Sequence, residues 1–187
     1  VGRVRHLKRE IDAVEVRREE ILRFWQKIES GEIPKRVAHN DTKISNILFD
    51  KHTKNPLCVI DLDTVMTSTS LYDFGDAIRS YTNTGKEDDN NLDNVSMDLE
   101  RFRAFAEGYL SEQKSLNSIE LQWLAFSARY ITYEQTLRFL MDYINGDTYY
   151  KIAFPEHNLI RTCAQLHLLE SMEEQYDAMC AIILELS

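Results

Sequence analysis

Chain breakers are scarce in this sequence: its 187 residues contain six glycines and three prolines. That scarcity excludes collagen-like and low-complexity architectures, which need one or both in abundance. No apolar stretch approaches the roughly 18 residues that a membrane-crossing helix requires, and no signal-peptide pattern opens the chain. Cysteines are few and odd in number, set far apart at Cys58, Cys163 and Cys180 in apolar surroundings. They are expected to be reduced, buried thiols of a cytoplasmic protein rather than disulfide partners or metal ligands. Positive charge is short as well. Lys and Arg number 22 against 31 Asp and Glu, a net charge of -9, which excludes a phosphate-backbone partner such as DNA or RNA. A nucleotide is not excluded, because its phosphates are met by a local lysine or by a cation held on carboxylates.

What is present fits one ordinary globular domain with its own core: 43% of residues are hydrophobic and 28% charged. Leu7, Ile11, Val14, Ile21, Trp25 and Ile28 recur at helical spacing, with Arg18 the one polar break. They predict a single amphipathic helix over residues 5–29, closed by Gly31 and Pro34. Asn46-Ile47-Leu48-Phe49 and Leu57-Cys58-Val59-Ile60 flank the turn-rich "DKHTKNP" and predict a β-hairpin, with His52 a solvated turn residue. Helical periodicity then dominates, over 72–81, 97–113, 118–145 and 156–186. Phe102, Phe105, Tyr109, Trp123 and Phe126 are expected in the core. The polar "NTGKEDDNNLDN" matches no calcium-loop spacing and is expected to be a solvated, mobile insertion. The fold class is therefore α+β and mainly α-helical, with a small hairpin.

The densest chemistry lies in "VAHNDTKISNILFD", residues 37–50. His39, Asp41 and Asn46 form H-x-D-x-x-x-x-N, a pattern that this composition would supply by chance in roughly 0.02 copies. It opens the hairpin, and the second strand ends in Ile60-Asp61-Leu62-Asp63. Folding the hairpin brings Asp61 back toward Asn46 and Asp41. Phosphoryl transfer from ATP needs such a set: a positioned hydroxyl and neutralised phosphate oxygens, with little covalent help. Asp41 would take the proton of the attacking hydroxyl. Asn46 and Asp61 would hold magnesium through hard oxygen ligands. His39 reads as structural support of the loop.

These residues carry a resemblance. The loop is similar to that of the aminoglycoside phosphotransferase and choline kinase family, relatives of the protein kinases. "HNDTKISNILFD", "VIDLDTVM" and "YDFGDAIR" together most resemble N-acetylhexosamine 1-kinases, which use ATP and magnesium to phosphorylate an anomeric sugar hydroxyl. Asp73-Phe74-Gly75 spells the protein-kinase metal motif, but it stands at a predicted helix start, whereas Asp61 ends the hairpin strand. The metal role is therefore given to Asp61, with Asp63 as support or a further contact. Asp73 and Asp76 are expected to cap the helix or to brace the catalytic loop from behind. Lys43 stands where protein kinases often place a lysine on the γ-phosphate; otherwise it is an exposed loop residue. The resemblance further implies that Arg138 and Tyr149 bind the sugar, the alternative being an Arg138–Asp142 pair along one helix and a Tyr149 that simply packs. It also implies a C-terminal lobe alone over residues 1–187, lacking the N-terminal ATP-binding lobe and inactive by itself. Choline, ethanolamine or an aminoglycoside is the alternative acceptor, and a noncatalytic binding module the alternative role.

Overall fold

The computed structural model describes residues 2–187. Seven α-helices are present among them: α1 (Lys8–Glu15), α2 (Arg18–Glu29), α3 (Ser70–Tyr81), α4 (Leu99–Glu112), α5 (Ser118–Ile144), α6 (His157–Glu174) and α7 (Tyr176–Leu186). Four short strands accompany them: β1 (Arg36–Ala38), β2 (Ile47–Phe49), β3 (Pro56–Val59) and β4 (Met66–Ser68). The hairpin β2–β3 pairs antiparallel, Ile47 opposite Val59 and Leu48 opposite Cys58, with an irregularity before Phe49. A second antiparallel pair, unanticipated, sets β1 against β4 with Val37 opposite Thr67. Strands of three residues are too short to show an alternating pattern in sequence.

The helix expected over residues 5–29 is two helices. The chain breaks at Val16 and Arg17, where Arg17 Nε and Nη2 donate to the Glu173 carboxylate at 2.8 and 2.6 Å. The break shifts the phase of the apolar stripe. Phe24 is therefore fully buried, while Trp25, expected inside, is 44% exposed. The helix expected over 156–186 also divides, at Gln175, whose Nε2 donates to the Met97 carbonyl at 2.8 Å. After that turn α7 packs on α4 and α5, burying Met179, Ile182 and Ile183.

Helix α5 is the axis of the molecule. It packs on α3 along one side and on α6 along another. Phe24 packs against Phe126 and Tyr130 with ring centroids 5.4 and 4.8 Å apart, and Phe74 and Phe102 extend the same cluster. Each such burial contributes about 1.5–3 kcal/mol. Phe105, Tyr109 and Trp123 pack against this cluster only partly buried. The α3–α5 crossing is close enough that a Cβ at Gly75 would collide with the Ser127 carbonyl. The start of α5 is fixed by a reciprocal cap: Asn117 Oδ1 accepts from the Glu120 N–H and Glu120 Oε2 from the Asn117 N–H, both at 2.9 Å. Glu120 is fully buried because Arg36 of β1 meets it with two donors at 2.6 and 2.7 Å. This pair ties the strand that leads into the 39–46 loop to the central helix.

Two further expectations are corrected. The segment 83–94 is anchored rather than free: Glu87 pairs with Arg79, and Asp88 lies 3.0 Å from His157 Nε2. The cysteines are not deeply buried; Cys58 is exposed on the hairpin and the other two are half-buried. No helix is long and apolar enough to cross a membrane among the described residues.

Candidate active site

Helix α3 grips the loop that follows β1. Its N-cap is Thr69, whose Oγ1 accepts from the Leu71 N–H, so Asp73 is left to face the loop. Asp73 accepts the backbone N–H of His39 at 2.8 Å and of Asn40 at 2.7 Å, one on each carboxylate oxygen. The Thr42 hydroxyl donates to the Asp73 carbonyl at 2.7 Å, and two turns on the Tyr81 hydroxyl donates to the Thr42 carbonyl at 2.8 Å. Burial, and the nearby Asp76 carboxylate after it, pushes the Tyr81 phenol up to about 12, which keeps that donor protonated. Asn40 takes the left-handed conformation (φ 62°), which Asn tolerates, and its Nδ2 donates to the Thr64 carbonyl at 3.0 Å. The loop is thereby sewn both to α3 and to the 62–64 turn.

Held in this way, Asp41 divides its oxygens between two tasks. Oδ2 accepts from Lys43 Nζ and from Asn46 Nδ2, each at 2.8 Å. Among the described residues no donor reaches Oδ1. Asn46 is 5% exposed and commits its Nδ2 to the Asp41 carbonyl (2.9 Å) as well, so its amide oxygen is left to accept. The hairpin returns to the same point. The Ile60 N–H donates to the Asn46 carbonyl at 2.9 Å, and His39 Nε2 lies 3.1 Å from the Ile60 carbonyl. Asp61 follows at once in a left-handed conformation (φ 64°), its carboxylate exposed and without a partner among the described residues. The Lys43 ammonium is raised above its usual range by its hydrogen bond to Asp41, with Asp61 and Asp76 adding through space. Asp63 lies exposed in the 62–64 turn with no partner among the described residues.

Among the described residues no three His, Cys, Asp or Glu side chains converge as a ready-made metal cage. The oxygens left without a donor are the Asn46 amide oxygen and the exposed Asp61 carboxylate. Both are hard ligands, and they would suit a magnesium ion that takes its remaining ligands from phosphate and water.

Asp41 also lines a polar cavity of about 190 Å³ between the loop, α3 and α5, shared with Tyr72, Asp76, Glu134 and Arg138. Asp76 does not brace the loop; it pairs with Arg79, Oδ1 accepting from Nη2 at 2.8 Å. Burial pushes the Glu134 carboxyl up, opposed by the positive charge of Arg138. Arg138 makes no pair with Asp142. The Asp142 oxygens are taken by the N–H groups of Thr148 and Tyr149 at 2.9 Å and of Tyr150 at 3.0 Å, and by Asn158 Nδ2 at 2.8 Å. Tyr149 is 74% exposed, and its neighbour Tyr150 lines the groove beside Asp41 instead. Glu134 and Tyr81 had no motif to announce them, and Arg79 closes "YDFGDAIR" without a role assigned to it; the three are brought to this region by α3 and α5.

Residues 2–112, more than half of the chain, match the family model described as APH, the phosphotransferase enzyme family. The chain belongs to this phosphotransferase family. The matched region runs to the last residue of α4. It holds the whole constellation of His39, Asp41, Asn46, Asp61 and Asp73, whereas Glu134 and Arg138 lie beyond it on α5. The 39–46 loop thus lies within the family region, and the cavity beside it is closed by a helix outside that region.

Proposed function

We propose that the protein transfers the γ-phosphoryl group of ATP, with magnesium, to a hydroxyl of a small polar acceptor. The resemblance of its three motifs names the anomeric hydroxyl of an N-acetylhexosamine as that group. The observation that carries the reading is the asymmetry of Asp41: Oδ2 is anchored by Lys43 and Asn46, and Oδ1 is free beside a small polar cavity.

In this reading the acceptor hydroxyl donates to Asp41 Oδ1. As its oxygen bonds to the γ-phosphorus and the bond from that phosphorus to the β-bridging oxygen breaks, the proton passes to Oδ1 and ADP departs. Lys43 steadies the anchored oxygen and carries positive charge toward the transferring group. Asp73 and Tyr81 keep the loop backbone fixed, so little reorganisation is left for the reaction itself. Magnesium held by the Asn46 amide oxygen and the Asp61 carboxylate supplies neutralisation of the phosphate oxygens. The reading includes a nucleotide-covering lobe packed on the hairpin. The apolar side chains exposed there, Leu48, Phe49, Leu57, Val59 and Leu62, support it.

The test is phosphate transfer from ATP to N-acetylglucosamine, N-acetylgalactosamine, choline and an aminoglycoside, with the protein and its Asp41→Asn variant. Transfer to an amino sugar is expected, and the variant should lose about 10²–10⁴-fold in kcat while unfolding at the same temperature. Near-parental turnover by the variant would remove Asp41 from the role of base. Preference for choline would reassign the acceptor.

A further inference from the structure

A groove of about 480 Å³ opens beside Asp41 between α3, the C-terminal half of α5 and α6. Five cationic side chains line it: Lys43, Arg79, Arg138, Lys151 and Arg161. Its only carboxylates are Asp41 and Glu87, and each is already engaged, Asp41 by Lys43 and Glu87 by Arg79. Among the described residues no carboxylate comes within ion-pair distance of Arg138, Lys151 or Arg161. In a chain of net charge -9, three cations without a close ion-pair partner, of which Arg138 feels only the longer-range charge of Glu134, leave the groove fit to take a counter-charge from outside.

The two guanidinium groups are held by aromatic faces, which orient them without neutralising them. Arg138 sits 5.8 Å from the ring centroid of Tyr150 and 5.9 Å from that of Tyr149. Arg161 sits 5.3 Å from that of Phe139 and donates to the Asn158 amide oxygen at 3.1 Å. Its Nε is buried with no acceptor. Glu134, one turn before Arg138, belongs to the smaller cavity and comes within ion-pair distance of neither arginine. Neither Asn46 nor Asp61 lines the groove, which runs from Asp41 and Lys43 to side chains of α5 and α6.

We propose that the acceptor carries an anionic substituent, a carboxylate or a phosphate monoester, seated among Arg138, Lys151 and Arg161 while its hydroxyl rests at Asp41. The proposal relies on the reading of Asp41 as the base of the phosphotransferase, and it narrows the acceptor to an acidic sugar or a comparable hydroxylated anion. Planar guanidinium donors and a flexible ammonium together match the several acceptor oxygens of such a group. A cationic acceptor would instead meet like charge along this wall.

The test is binding without turnover, by titration calorimetry on the Asp41→Asn protein. Two pairs of ligands are compared: N-acetylglucosamine with its 6-phosphate, and glucose with glucuronic acid. At least one charged member should bind roughly tenfold or more tightly than its neutral parent. The exposed Lys151, changed as Lys151→Glu, should bring that ratio back toward one, and Arg161→Gln should reduce it. Equal affinities within both pairs would overturn the proposal, as would a preference that both variants leave intact. A repeat in saturating magnesium-ADP separates the two sources of an anion. Unchanged binding assigns the groove to the acceptor; displacement assigns it to the nucleotide and also overturns the proposal. Because no transfer is measured, a preference could stand even if phosphorylation were never found, so this proposal and the reading beneath it fail separately.

Discussion

Asp73 shows how one side chain can shape a loop it does not belong to. Its two oxygens take the N–H groups of His39 and Asn40, and its own carbonyl takes the Thr42 hydroxyl. Removing the carboxylate leaves two backbone donors without partners. Asp73→Ala should therefore lower stability by about 1–3 kcal/mol, read from urea unfolding, and should depress kcat more than it raises KM. An unchanged kcat would mean that the loop holds its shape without this brace. At this scale the sequence was legible where the groups lie close together: His39, Asp41 and Asn46 share one loop, so their spacing survives translation into space. It was misleading at Arg138. An Asp four residues on looks like an ion-pair partner, yet the Asp142 oxygens are spent on the N–H groups of residues 148–150. No periodicity displays a turn folding back on a carboxylate.

The elements depend on a few points of close approach. At Gly75, α3 meets α5 with no room for a Cβ beside the Ser127 carbonyl. Gly75→Ala should cost about 1–3 kcal/mol through overpacking, measured by denaturant titration, and should displace the loop that α3 carries. Asp142 closes the α5–α6 connection. Burial acts to raise its carboxyl, but the N–H groups of Tyr150, Tyr149 and Thr148 and the Asn158 amide outweigh it and hold the pKa below the usual range. A depressed carboxylate stabilises the fold at pH above its unfolded value of about 3.9, and that stabilisation fades as pH falls through the lower folded value. Urea midpoints of the protein and of Asp142→Asn, taken from pH 7 down to pH 3, should converge at the acid end. A gap that stayed constant would show that the charge of Asp142 contributes nothing. Helix existence was legible from apolar spacing, but helix breaks were not. The bends at Arg17 and Gln175 are made by contacts with Glu173 and with the Met97 carbonyl, partners distant in sequence. The β1–β4 pair was hidden for a related reason, since three residues carry too little pattern.

For the molecule as a whole, α3 and α6 pack on α5, and the 39–46 loop is held on this base through Asp73 of α3. The α+β class and the family were legible because the loop, the hairpin and Asp73 fall within one short stretch of chain. The groove beside Asp41 was not, because its lining comes largely from α3, α5 and α6, which meet only on folding. The central claim is that Asn46 and Asp61 share one cation with the phosphates beside Asp41. It is tested most directly by replacing magnesium with manganese, in the presence of ATP, and following paramagnetic broadening of the backbone amide signals. Broadening should centre on the amides around Asn46 and Asp61 and vanish in Asp61→Asn. Broadening that persists in that variant, or that centres on the acidic residues Asp88 and Asp89 instead, would contradict the account.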